Sequence, residues 1–131
     1  MIFVDTSFFV ALRLRRDVNH QLAAELLNRY ADRRLLTSNH VRGETWTYLR
    51  RRAGHASAVN FLDALESSPR MRIERASAEV EAQALGWLRQ RDEREYSSVD
   101  AVSFAIMRRM RAHEAFAFDG DFSAAGFVEL R

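Results

Sequence analysis

Five carboxylates stand where an apolar or neutral residue would suit the local pattern better: Asp5, Glu44, Asp100, Asp119 and Asp121. Asp5 ends the apolar run Ile2–Val4 and is followed by Thr6 and Ser7. Glu44 shares a helical face with Val41 and Tyr48, and Asp100 falls in the first turn of the most apolar helical stretch. Asp119 and Asp121 flank Gly120 in the motif F-D-G-D-F at 118–122. Each has an ordinary role open to it. Asp5 suits a helix start, Ser97-x-x-Asp100 is close to a capping box, Asp119-Gly120 is a common turn pair, and Glu44 suits a solvated helix position. Together they suggest more. Two like charges about 4 Å apart repel by about 4 kcal/mol at an effective dielectric of about 20. Several such pairs rival the whole stability of a small domain, about 5–15 kcal/mol. If the five converge, a cation must offset the repulsion. Oxygen-only ligands point to Mg²⁺ or Mn²⁺, whose usual work on carboxylates is to activate water against phosphate esters.

The elements that must position these residues follow from hydrophobic periodicity. Ile2–Val4 reads as a strand buried on both faces, and a helix over 7–15, capped by Thr6 or Ser7, follows it. Asn19 or His20 opens a second helix, with Leu22, Ala23, Leu26, Leu27 and Tyr30 inward. Leu35–Ser38 is a strand, and a third helix covers 40–52 with Val41, Thr45, Tyr48 and Leu49 inward. Gly54 stops it, and a fourth helix covers 56–66. Met71–Glu74 is a third strand. A fifth helix spans 78–91, with Val80, Ala84, Leu85 and Leu88 inward, and a charged loop covers 92–96. A sixth, largely buried helix spans 99–112. Strands over 115–118 and 127–130 close the chain. Alternating strands and helices predict an α/β domain with a mainly parallel sheet. The first strand and the strand over 115–118 both lead to an aspartate, so as parallel neighbours they place Asp5 and Asp119 at one sheet edge, where α/β ligand sites lie.

Composition narrows the class. The chain has 131 residues, the size of one domain, and no linker or repeat divides it. No stretch is long and apolar enough for a membrane span, and Asp5 interrupts the only apolar run near the start, so no signal peptide is expected. The absence of cysteine excludes disulfides and thiolate metal sites, which makes the cytoplasm the default location. All 20 basic residues are arginine, whose planar fork grips phosphate at two points. A GC-rich genome also gives that bias.

The ordered set V-D-T-S at 4–7, V-R-G-E at 41–44, S-S-V-D-A at 97–101 and F-D-G-D-F at 118–122 resembles the PIN-domain nucleases. At this length it is most similar to the VapC toxins of VapBC toxin–antitoxin pairs. The resemblance implies a three-layer α/β/α fold with about five strands in one domain over 1–131, and a Mg²⁺- or Mn²⁺-dependent endoribonuclease. It implies an acidic quartet of Asp5, Glu44, Asp100 and Asp119, with Asp121 as an accessory acid and Thr6 or Ser7 as the hydroxyl beside the first aspartate. Asp5, Asp100 and Asp119 then hold metal directly or through water, and Glu44 orients the attacking water or completes a second site. The products are a 5′-phosphate and a 3′-hydroxyl. A homodimer and a VapB-like antitoxin blocking the acidic pocket are implied as well.

Arginine clusters at 13–16, 50–52 and 108–111 each end a helix and complement its dipole. Arg42, beside Glu44, and Arg91 and Arg94, shortly before Asp100, are better placed to hold RNA. His40 and Glu44 have metal-binding spacing, but His40 reads as a helix start. Three other readings compete. They are a PIN nuclease of RNA processing without an antitoxin, a non-catalytic PIN-like RNA-binding domain, and a phosphatase or receiver using Asp5 as nucleophile. Against the last, no second aspartate follows Asp5 two residues on and the chain has no lysine.

Overall fold

The computed structural model describes residues 1–131. In chain order the elements are β1 (Ile2–Val4), α1 (Thr6–Arg13), α2 (His20–Arg29), β2 (Leu35–Ser38), α3 (Asn39–Ala53), α4 (His55–Ser67), β3 (Met71–Glu74), α5 (Ala78–Arg89), α6 (Ser98–Arg109), β4 (Glu114–Phe116), α7 (Asp121–Ala124) and β5 (Val128–Glu129). The strands form one sheet in the order β3-β2-β1-β4-β5. Every pairing is parallel, with Ile2 beside Leu35 and Glu114, and Val4 beside Phe116.

This order reverses direction between β1 and β4. The chain moves outward through β2 and β3, then crosses back to β4 and β5. Right-handed crossovers therefore put α1–α4 on one face and α5–α7 on the other. Most of the packing agrees: α1 lies against α2 and α3, α3 against α4, α5 against α6, and α6 against α7, while α3 also meets α6 and joins the two groups of helices.

β1 is central because Ile2, Phe3 and Val4 are all buried, and such a run needs cover on both faces. Neighbouring side chains point to opposite faces. On one side Phe8 stacks on Phe116 with ring centroids 4.4 Å apart. On the other, Phe3 meets Phe122 at 6.0 Å, and Phe122 meets Phe104 edge-on at 4.9 Å. Phe104, Ile106 and Met107 are fully enclosed, as a helix apolar around most of its circumference requires. Truncating Phe104 to alanine would cost about 3–5 kcal/mol.

Several expectations need correction. Helical spacing points Tyr48 and Leu85 inward, yet they are 36% and 49% exposed. Asp5, rather than Thr6 or Ser7, is the N-cap of α1, because its side chain accepts the Ser7 N–H. The fourth strand ends at Phe116, leaving Ala117 and Phe118 in the loop before Asp119. The last strand covers only Val128–Glu129, and a short helix, α7, which the hydrophobic pattern does not predict, precedes it. α1 and α5 end two residues early, at Arg13 and Arg89.

Candidate active site

β1 and β4 run in register, and the Asp5 N–H donates to the Phe116 carbonyl at 3.0 Å. Asp5 thus leaves the sheet at the reversal point between the two strands, where the chain opens a crevice. Its carboxylate is 2% exposed and turns back on its own helix start. Asp5 Oδ2 accepts the Ser7 N–H at 3.1 Å and the Ser7 hydroxyl at 2.7 Å. The Ser7 oxygen in turn accepts the Phe118 N–H at 3.0 Å. One serine therefore ties the end of β1 to the loop that carries Asp119.

Asp100 arrives from the other face. It is the third residue of α6, and a complete capping box holds it. The Ser97 N–H donates to Asp100 Oδ2 and the Asp100 N–H donates to the Ser97 hydroxyl, each at 3.0 Å. The structural role and the site position coexist, because one carboxylate oxygen serves the cap and the other remains.

Asp119 and Asp121 are set by a tight turn. Gly120 has φ +83°, a left-handed conformation that glycine adopts without strain. The Asp121 N–H donates to Asp119 Oδ1 at 3.1 Å. Behind the turn, the buried Glu129 carboxylate accepts the Gly120 N–H at 3.3 Å and the Ser123 N–H at 2.9 Å. Arg94 closes the front: its Nε donates to Asp121 Oδ1 at 2.9 Å.

These segments enclose an open cleft of about 600 Å³ lined by Asp5, Glu44, Asp100, Asp119 and Asp121, together with Thr6 and Ser7. One carboxylate oxygen each from Asp100, Asp119 and Asp121 lies within 4.8 Å of the others. Asp17 and Glu95 add two further carboxylates to the wall, with Asn19 and Tyr48 beside them. Sequence reasoning missed these. Asp17 sits in an Asx turn, its Oδ1 accepting the Asn19 N–H at 2.8 Å, a signature shared with any polar loop.

Crowded acids resist ionisation. Burial, then the charge of Asp119, push the Asp5 carboxyl up to about 7, against the pull of its two Ser7 hydrogen bonds. Burial raises Asp100 to about 6, with Asp119 and Asp121 adding and the Ser97 bonds opposing. Asp119 is raised too, first by burial. The wall contains no histidine, and Thr6 Oγ1 is a buried hydroxyl with no partner. Hard oxygen donors in like-charge excess fit a hard divalent cation.

The expected RNA-contact arginines divide. Arg94 stands at the cleft through Asp121. Arg91 lies over the Trp87 ring at 5.2 Å and pairs with Glu93 at 3.8 Å, and none of Arg42, Arg91 and Arg94 lines the cleft itself. His40 turns away to Glu81, 3.3 Å from its Nε2.

A family model described as PIN domain matches residues 2–128. The 23S rRNA-specific endonuclease VapC20 of Mycobacterium tuberculosis is 53% identical over 133 aligned residues, covering 100% of this chain and 98% of that protein. The crystal structure of Mycobacterium tuberculosis VapC20, described as a Sarcin-Ricin loop cleaving toxin, aligns with a TM-score of 0.92 over 100% of this chain and 99% of that one. The chain belongs to the PIN-domain family and, within it, to the ribonuclease toxins of the VapC type.

Proposed function

We propose that this chain is a divalent-metal-dependent endoribonuclease that cleaves 23S rRNA at the sarcin–ricin loop. It acts in the cytoplasm as a homodimer and is restrained by a VapB-like antitoxin. The observation that carries the reading is the convergence of Asp5, Glu44, Asp100, Asp119 and Asp121, from separate segments, on one cleft. Binding phosphate alone needs no clustered carboxylates; positioning a cation against phosphate does. The 53% identity to VapC20 over the whole chain supports the same substrate.

Asp100, Asp119 and Asp121 would hold the cation, and Asp5 beneath them would hold it directly or through water. When bound, Mg²⁺ or Mn²⁺ activates the attacking water and stabilises charge on the leaving oxygen. Ser7 fixes the Asp5 carboxylate, and the Ser97 cap fixes Asp100. Glu44 has no ion-pair or hydrogen-bond partner and faces the cleft, so its carboxylate is free to accept a hydrogen bond from the attacking water and orient it. Arg94 relieves part of the charge on Asp121 and stands where it can meet the phosphate nearest the cation. In-line attack leaves a 5′-phosphate and a 3′-hydroxyl. Between α1 and α4 an apolar cavity of about 190 Å³, lined by Phe8, Phe9, Leu12, Phe61 and Leu65, supports an antitoxin seat. A basic side chain from that partner would complement the acidic cleft.

The test is cleavage of ribosomal RNA in Mg²⁺ or Mn²⁺ against EDTA. Asp5→Asn and Asp100→Asn should each abolish metal-dependent cleavage while still melting cooperatively. Cleavage retained in both would overturn the assignment.

A further inference from the structure

We infer that a groove along α3, opening from the acidic cleft, guides the RNA strand beyond the scissile phosphate, with Tyr48 stacking a base and Arg51 and Arg52 gripping the backbone. The inference rests on the nuclease reading above and deepens it by stating how that site takes its substrate.

Glu44 and Tyr48 line the acidic cleft and also a second cavity of about 550 Å³, so the two cavities share a wall. Glu44, Tyr48 and Arg52 recur every four residues and form one row along α3. Gly43 and Thr47 lie in the adjoining row, and the space at Gly43 is open, with nothing within 4 Å of a Cβ built there. The result is a shallow channel bounded by small residues and walled by the row.

Its chemistry differs from that of the cleft. The Tyr48 ring is 36% exposed, and the Arg52 guanidinium sits 5.1 Å from its centroid. Neither Arg51 nor Arg52 has a carboxylate in ion-pair range or makes a hydrogen bond, whereas Arg33, Arg72, Arg94 and Arg109 are all paired with acids. Read from sequence, Arg50–Arg52 only complement the α3 dipole. That role explains basic residues at a helix end but not an exposed aromatic ring set beside them at the mouth of a cleft.

Position and electrostatics name the occupant. A helix rises about 1.5 Å per residue, so Arg51 and Arg52 stand about 10–12 Å beyond Glu44. They are too far to neutralise the catalytic carboxylates and suitably far to meet a later phosphate of the same strand. A cleft with seven carboxylates on its wall repels a polyanion except at its cation. Most of the affinity must therefore come from basic groups outside the cleft. An exposed ring backed by a guanidinium is a sequence-tolerant platform for an unstacked base.

The test uses a synthetic sarcin–ricin stem-loop RNA. Binding is measured in an Asp100→Asn background, and steady-state cleavage in Mn²⁺ in the otherwise native chain. Arg51→Gln with Arg52→Gln should raise KM and Kd about tenfold, with much less change in kcat. It should also flatten the slope of log Kd against log salt by about 1.4, since each phosphate contact on a single strand contributes about 0.7. Tyr48→Leu should weaken binding about tenfold and Tyr48→Phe should restore it, as stacking rather than the hydroxyl requires. Lysine at 51 and 52 should recover the salt slope. An unchanged KM and slope in the double glutamine variant, with a parent that cleaves, would overturn the inference and leave the nuclease reading standing. So would a change in oligomeric state without a change in RNA affinity, which would make this end of α3 a contact between copies. A parent that neither binds nor cleaves the RNA would overturn the nuclease reading itself.

Discussion

The Ser7 hydroxyl donates a 2.7 Å hydrogen bond to Asp5 Oδ2 while accepting the Phe118 N–H at 3.0 Å. Ser7→Ala removes both contacts. It leaves the Phe118 amide unpaired and strips from Asp5 a bond that favours its ionised form. Urea unfolding should show a loss of about 1–3 kcal/mol. Calorimetric titration should show Mn²⁺ affinity reduced about 10–100-fold. Ser7→Thr, which keeps the hydroxyl, should lose much less of either.

The raised carboxyls make a sign-definite prediction for the metal-free protein. Asp5 titrates near 7 when folded, against an ordinary value of 3.8. Between those values the folded chain holds a proton that the unfolded chain has released. Stability from this group is therefore full below the ordinary value and is lost as pH rises through about 7. Each pH unit between the two is worth roughly 1.4 kcal/mol as an upper bound. In EDTA, Tm should fall from pH 5 to pH 8, and Asp5→Asn should flatten most of that fall. In Mn²⁺ the trend should oppose this, because binding requires ionised ligands.

Asp100 separates structural from chemical loss. Asparagine keeps an oxygen to accept the Ser97 N–H, so Asp100→Asn should retain the start of α6. In EDTA it should melt above the wild type, having lost a like charge, and Mn²⁺ should not shift it. Asp100→Ala loses the capping box and should fall about 1 kcal/mol below Asp100→Asn. Thermal melts of the three proteins with and without Mn²⁺ check this.

Glu129 reaches the site only through the backbone. Glu129→Ala frees the Gly120 and Ser123 amides and should loosen the turn that carries Asp119 and Asp121. The expected result is about 1–3 kcal/mol of stability lost and a clear drop in Mn²⁺ affinity, although Glu129 is no ligand. Hydrogen exchange at Gly120 and Ser123 should rise in parallel.

The strands β1 and β2 were legible to the residue because short buried runs bounded by polar residues carry their own limits, and β3, which is only half-buried, matches its expected bounds as well. The aspartates at the ends of the central elements were legible for the same reason: each breaks an apolar pattern. α7 was not, since four residues give no periodicity to read. Tyr48 and Leu85 misled because helical spacing marks an apolar stripe but not its edge, and both lie where the stripe meets solvent. Asp17 and Glu95 sit in loops where acids are common. Only tertiary folding, which swings both loops over the end of the sheet, distinguishes them from solvated neighbours.

The strand order also sets when the site can exist. Asp5 is made well before its neighbour strand β4 and the acids Asp119 and Asp121, which emerge only after α1–α6. Until then β1 lacks one of its two partners, and the slow long-range pairing of β1 with β4 waits for all six intervening helices. For an enzyme proposed to cut ribosomal RNA, this is a safeguard in time. A ribosome making the chain carries an unfinished nuclease until β4 and the acids after it emerge, and fragments that stop before Asp119 lack part of the acidic site.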